Sequence, residues 1–193
     1  MSDSVKVGIR LRPLLKREKD ENLSIRWIVR GDSIVSLDPE TRKRGDNGFH
    51  FDDIFEMDTT NSNVFETIAR PIVDASINGI NATVFSYGQC NSGKTHTMMG
   101  TAEEPGLIPL SIKHIFKAIS NTVEREFLLR ASYLEICDEK VNDLLNLKSV
   151  NLTLHRDDSK QLIIKCKEEI ISSLSHMLSI VEKGLQNKRL RES

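Results

Sequence analysis

The sequence predicts an α/β fold in which a central mixed sheet carries helices on both faces. Two observations carry that class. Apolar β-type runs alternate with amphipathic helical segments through the middle of the chain. One such run, "TVFSYG", passes directly into Gly88-Gln89-Cys90-Asn91-Ser92-Gly93-Lys94-Thr95, the G-x-x-x-x-G-K-[ST] spacing that joins a strand to a helix around a phosphate. The 193 residues, 38% hydrophobic and 28% charged, have room for one domain with a substantial core.

The elements follow in order. "VKVGIRLRP" alternates, with Val5, Val7, Ile9 and Leu11 on one face and Lys6, Gly8, Arg10 and Arg12 on the other, until Pro13 ends the ladder. A charged loop from Lys16 to Asn22 leads to Ser24 to Val29 and Ser33 to Leu37, two strands turned by Arg30-Gly31-Asp32. A second Arg-Gly-Asp, Arg44 to Asp46, lies in the next loop, and both are read as turn chemistry. "FHFDDIF" is a further extended segment. Apolar residues at Val64, Ile68, Ile72 and at Phe65, Ala69, Val73 then predict a helix with Asn63 as N-cap and Glu66 three places on, bent at Pro71 and stopped near Gly79. Past the loop Thr101 to Gly106, "GLIPLSIKHIFKAI" gives another helix and "REFLLRASYLEI" a longer strand. A short helical turn is expected at Asp138 to Leu145, weak strands at Leu152 to His155 and Gln161 to Lys165, and a final helix over Ser173 to Leu190 with Met177, Leu178, Val181 and Leu185 on its buried side.

Composition narrows the function classes. The formal net charge is −1, from 27 basic and 28 acidic side chains, so bulk electrostatics offers nothing to nucleic acid and an acidic partner must be met by a local patch. Cys90, Cys137 and Cys166 are odd in number and lack metal-type spacing, which fits a reducing compartment. The charged N-terminus has no signal-peptide core, and no run approaches the ~20 apolar residues of a membrane span. Sequons at Asn22, Asn81 and Asn151 are therefore expected to be silent.

The phosphate loop carries the chemistry. Its glycines let consecutive backbone N–H groups turn toward phosphate oxygens. Lys94 is placed to reach the β- and γ-phosphates and the Thr95 hydroxyl to ligate Mg2+.

A phosphate loop alone does not choose the base. The chain resembles the kinesin motor domain through Arg10-Leu11-Arg12-Pro13 (the family's R-x-R-P), "FDDIF", "NATVFSYGQCNSGKTHTMMG", "GLIPLSIKHIF" and "ASYLEICDEKVNDLL", in the family's order and spacing. The phrases "ARPIVDASINGINATVFSYGQ" and "EREFLLRASYLEI" further resemble the mitotic branch that contains centromere-associated protein E. The resemblance implies a P-loop NTPase of kinesin motor type that binds ATP with Mg2+ and couples hydrolysis to movement along microtubules. It assigns Arg10, Arg12 and Pro13 to the adenine frame, with Phe65 and His96 beside it, since a purine needs a flat apolar or cationic wall. It also implies a cytoplasmic, cytoskeletal protein, at the kinetochore in mitosis, that dimerises through a coiled coil, with no nucleic acid or membrane partner.

This sequence departs from the family pattern at three places. Cys90 stands where kinesins usually have threonine, and Cys137-Asp138 stand for the tyrosine and asparagine of E-I-Y-N-E. The family's γ-phosphate-sensing strings, N-x-x-S-S-R-S-H and D-L-A-G-S-E, do not occur in these residues. Phosphoryl transfer to water needs those loops, so the expectation is a single partial motor domain over 1–193, its sheet incomplete at the C-terminus, that holds nucleotide without turning it over. Two other readings stay open. One is a different P-loop NTPase using Glu135 or Asp138, at the end of "FLLRASYLEICD", as its acidic Mg2+ partner. The other is a nucleotide-binding module with no catalysis.

Overall fold

The computed structural model describes residues 5–40, 48–156 and 162–192; the expected turn at Arg44 to Asp46 and the strand residue Gln161 lie outside them. The chain divides into two compact units, Met1–Ser111 and Ile112–Ser193.

In the first unit, β1 (Gly8–Arg10) pairs in parallel with β5 (Asp53–Phe55), Gly8 facing Asp53 and Arg10 facing Phe55. The strand is shorter than its alternation suggests. Leu11 is buried while Val5 and Val7 stay exposed, because the ladder begins only at Gly8. A Cβ at Gly8 would meet the end of the Ile68 side chain, which would have to shift. The stretch expected as a charged loop forms the one-turn helix α1 (Lys16–Asp20). Glu18 reaches back to accept the Leu15 N–H at 2.7 Å, satisfying one of the donors a helix start leaves over. The expected hairpin is present as β2 (Trp27–Arg30) and β3 (Ser33–Ser36), turned at Gly31 with φ +59°. "FHFDDIF" divides into β4 (Phe49–His50), which adds to β3, and β5, which belongs to the parallel pair.

The amphipathic helix is present but starts earlier than read. Thr60 is its N-cap, its hydroxyl accepting the Asn63 N–H at 3.2 Å. The run comprises α2 (Asn61–Val64), a π turn (Phe65–Ala69) in which the Arg70 N–H reaches Phe65 O, and α3 (Arg70–Ile77). The wide turn is the local answer to Pro71, which has no N–H for the Thr67 carbonyl and would crowd it in a regular helix. Lys6 Nζ donates to that carbonyl instead, at 3.3 Å. The helix stops at Asn78, with Gly79 at φ +91°. Its apolar side, Val64, Phe65 and Ala69, makes a core with Phe55 and Leu107, against which Ile68, Val84, Met98 and Leu110 pack.

The expected strand ahead of the phosphate loop forms no ladder among the described residues. Val84 packs against the core, but Phe85 and Tyr87 are 76% and 95% exposed. A strand exists only through a hydrogen-bonded neighbour, and no described strand lies beside this one. The helices α4 (Lys94–Met98) and α5 (Leu107–Ser120) follow.

In the second unit, "REFLLRASYLEI" is two strands. β6 (Leu129–Ala131) pairs antiparallel with β11 (Glu169–Ile171), which sequence patterning did not signal. β7 (Leu134–Cys137) pairs with β8 (Lys140–Asp143). The helical turn expected at Asp138 is thus a hairpin. Asp138 and Glu139 both take positive φ, +49° and +60°, the pair of left-handed residues that a two-residue loop needs to match strand twist. β9 (Leu154–Arg156) and β10 (Leu162–Ile164) form a separate ribbon. The final helix, α6 (Leu174–Glu192), centres its buried side on Ile180, packed with Leu145 and Ile171. Met177, Leu178, Val181 and Leu185 are only half-buried. Asp143 is fully buried and closes the β8 exit, accepting N–H groups from Leu145, Asn146 and Lys167 at 2.8, 3.1 and 2.7 Å.

Candidate nucleotide site

The phosphate loop has the backbone that its sequence requires. Gly88, Asn91 and Gly93 take positive φ, +155°, +63° and +99°. Gly88 has a second reason to lack a side chain, since a Cβ would stand 2.7 Å from Ser92 Oγ. Gly93 is the N-cap of α4, and a side chain there would be strained whatever the space around it. Positive φ at these positions is the backbone feature that lets N–H groups of such a loop turn to one side, a concavity that suits phosphate oxygens. Lys94 closes the loop on itself, its Nζ donating to Gly88 O at 2.8 Å and Gln89 O at 2.7 Å. Gln89, Cys90 and Thr95 are exposed. Among the described residues no group of three His, Cys, Asp or Glu side chains could cage a metal. A lone Thr95 hydroxyl suits Mg2+, which keeps several of its waters beside substrate phosphates.

The residues assigned to the adenine frame separate. Arg12 lies by the loop, the carbons of its side chain running within ordinary contact of the space above Gly93. Its guanidinium is fixed by Glu18 through paired bonds of 2.8 Å each. That bond, with the Leu15 N–H, holds the Glu18 carboxyl down at about 2 and raises the Arg12 guanidinium. Pro13 and the ring of His96 are exposed, the latter 3.6 Å from Glu104.

Arg10 and Phe65 are placed otherwise. Arg10 donates to Asn61 Oδ1 at 2.5 Å, Thr97 Oγ1 at 2.9 Å and Thr59 O at 2.7 Å. Burial pulls its guanidinium below the ordinary arginine range, and the Glu104 charge opposes that shift. It acts as a clamp between the start of α2 and α4. Phe65 is 4% exposed and sits in the core, because the helix begins at Thr60 and turns this position inward.

Asn61, Thr97, Glu104 and Glu18 were not singled out from sequence. Glu18 could have been, from its capping distance to Leu15. Asn61 gave no signal, for a fully buried asparagine looks like any polar residue at a helix start. Glu135 and Asp138 lie on the hairpin of the second unit, where Glu135 faces Lys188 at 4.0 Å.

Comparison with known proteins bears on this geometry. The family model for the kinesin motor domain matches residues 10–193. The chain is similar to the kinesin-like protein KIN-7D, mitochondrial, of Arabidopsis thaliana, with 41% identity over 97% of this chain and 17% of that protein. It is equally similar to the kinesin-like protein KIN-7K, chloroplastic, of Oryza sativa subsp. japonica, at 41% identity and the same shares. A solved structure described as a fast kinesin superposes with a TM-score of 0.89 at 30% identity, covering 97% of this chain and 54% of that one. The chain thus spans under a fifth of those two curated relatives. Both are plant KIN-7 kinesins, so the narrower likeness to the centromere-associated protein E branch is not what they carry. By the family match across nearly its whole length, and by the fold it shares with a solved motor, the chain belongs to the kinesin motor domain family.

Proposed function

We propose that this chain is the ATP-binding portion of a microtubule motor. The observation that supports the reading best is the loop of residues 88–95, whose positive-φ glycines and inward-curled Lys94 form a triphosphate cradle inside a motor-domain fold. In it the N–H groups of the loop and the Lys94 ammonium meet the phosphates, Thr95 binds Mg2+, and Arg12, Pro13 and His96 offer the base a wall. Mg2+, when bound, neutralises phosphate charge. Phe65 supports the wall only from within the core, and Arg10 only through its clamp.

Hydrolysis and filament capture are assigned to the longer motor, since the γ-phosphate-sensing strings of the family do not occur in these 193 residues. The protein is read as cytoplasmic and cytoskeletal. Coiled-coil dimerisation is the finer reading that kinesin membership suggests for a longer protein, and a part in mitotic chromosome movement at the kinetochore rests only on the sequence phrases around residues 69–89 and 124–136.

The test is co-sedimentation of the purified chain with microtubules at physiological salt, with phosphate release measured alongside, beside a version fused to the remaining half of a related motor domain. Mg-ATP binding by both, with filament-stimulated turnover only in the fused protein, is expected. Stimulated turnover by the 193 residues alone would overturn the division of labour.

A further inference from the structure

The helix behind the phosphate loop is only five residues long, Lys94–Met98, and the way it ends is unusual. The Met99 and Gly100 N–H groups both turn to Thr95 O, at 2.8 and 3.3 Å. The next carbonyl, that of His96, is left without the donor a continuing helix would bring. Asn61 Nδ2 supplies it, at 3.0 Å. The same carboxamide donates to Glu104 O at 3.3 Å and accepts from Arg10 at 2.5 Å, while the Asn61 N–H donates to Glu104 Oε1 at 2.8 Å. Asn61 is wholly buried and all of its hydrogen-bonding groups are used. The second oxygen of the Glu104 carboxylate faces the His96 ring at 3.6 Å. A single buried amide therefore holds His96 by its backbone and also orients Glu104, the carboxylate that faces the His96 ring. Lys94 takes no part: its bonds run to Gly88 and Gln89.

We propose that Asn61 and Glu104 are positioning residues for the base side of the nucleotide site, fixing His96 as a wall for the purine while leaving the phosphate cradle to stand alone. The proposal rests on the ATP-binding reading given above. It separates two kinds of affinity. Disturbing the Asn61–Glu104 pair loosens the wall that a nucleoside needs, and an inorganic chain of phosphates has no use for that wall.

The experiment titrates Mg-ATP and magnesium tripolyphosphate into wild type, Glu104→Ala, Glu104→Gln, Asn61→Ala and Lys94→Ala, with thermal unfolding of each. Glu104→Ala is expected to weaken ATP about 5- to 10-fold, the net size of roughly one ordinary hydrogen bond lost through looser ordering of the wall, with tripolyphosphate held within about twofold, inside the scatter of a surface substitution. Glu104→Gln keeps an oxygen for the Asn61 N–H and should recover most of the ATP affinity. Lys94→Ala should weaken both ligands together. If Asn61→Ala does not fold, the half-exposed Glu104 variants decide. Equal losses of ATP and tripolyphosphate in Glu104→Ala, or no loss of either while Lys94→Ala loses both, would overturn the positioning role. Indifference of both ligands to Lys94→Ala would instead overturn the nucleotide site itself.

Discussion

Replacing Lys94 by alanine probes the cradle most directly, and the structure sets the size of the effect. The ammonium makes two bonds within the loop, to Gly88 O and Gln89 O at 2.8 and 2.7 Å. To meet a triphosphate it must exchange those neutral oxygens for anionic ones. Two bonds to charged acceptors contribute about 3–6 kcal/mol, and the two carbonyl bonds given up offset about 1–3 kcal/mol of that. The balance, about 2–3 kcal/mol, is a loss of about 30- to 150-fold in affinity. Stability should fall by no more than about 1–3 kcal/mol, the size assigned to those two carbonyl bonds, and by less to the extent that water replaces the ammonium at both carbonyls. Calorimetric titration of Mg-ATP beside thermal unfolding checks both quantities. Affinity within threefold of wild type would refute the cradle, and a large fall in melting temperature would make Lys94 a structural staple of the loop.

Two further predictions concern stability. Glu18 is held at about 2 first by Arg12 and then by the Leu15 N–H; a carboxyl whose folded value lies below its unfolded value of about 4.3 stabilises the fold above that value and ceases to as pH falls toward 2. Acid unfolding followed from pH 6 to about 2 should therefore lose its steepness between about pH 4.5 and 2 in Glu18→Gln, and an unchanged profile would refute the pairing. Gly184 lies buried in α6 under the Tyr133 ring, where a Cβ would overlap the ring carbons. Gly184→Ala should lower the melting temperature, overpacking of about 1–3 kcal/mol exceeding a helix-propensity gain of about 1 kcal/mol; the same change should raise it in a Tyr133→Ala background, and a rise in wild type would refute the contact.

What sequence could show, and what it could not, follows from the range of each interaction. The phosphate loop was legible because its constraint is local: glycines at fixed offsets answer to backbone dihedrals a few residues apart. The Arg-Gly-Asp hairpin and the amphipathic face of Val64, Phe65 and Ala69 were legible for the same reason. The Asp138 turn was missed because its two non-glycine residues take positive φ without the usual Asn-Gly or Asp-Gly mark, and an acidic pair before an apolar run reads equally well as a helix start.

The residues assigned to the adenine frame separate for a reason that local sequence does not carry. The spacing of Arg10 and Arg12 puts both on one strand face, yet a strand face does not say what stands opposite it. Arg12 meets Glu18, six residues on, and keeps its stem beside the loop. Arg10 meets Asn61 and Thr97, 51 and 87 residues away, and is drawn inward. Two arginines of identical local pattern thus divide by their partners, a near one that leaves Arg12 at the surface and distant ones that draw Arg10 inward. A buried arginine is tolerated only where hydrogen-bond acceptors converge on it. The three oxygens around Arg10, from Asn61, Thr97 and Thr59, tie the short helix Lys94–Met98 to the start of α2.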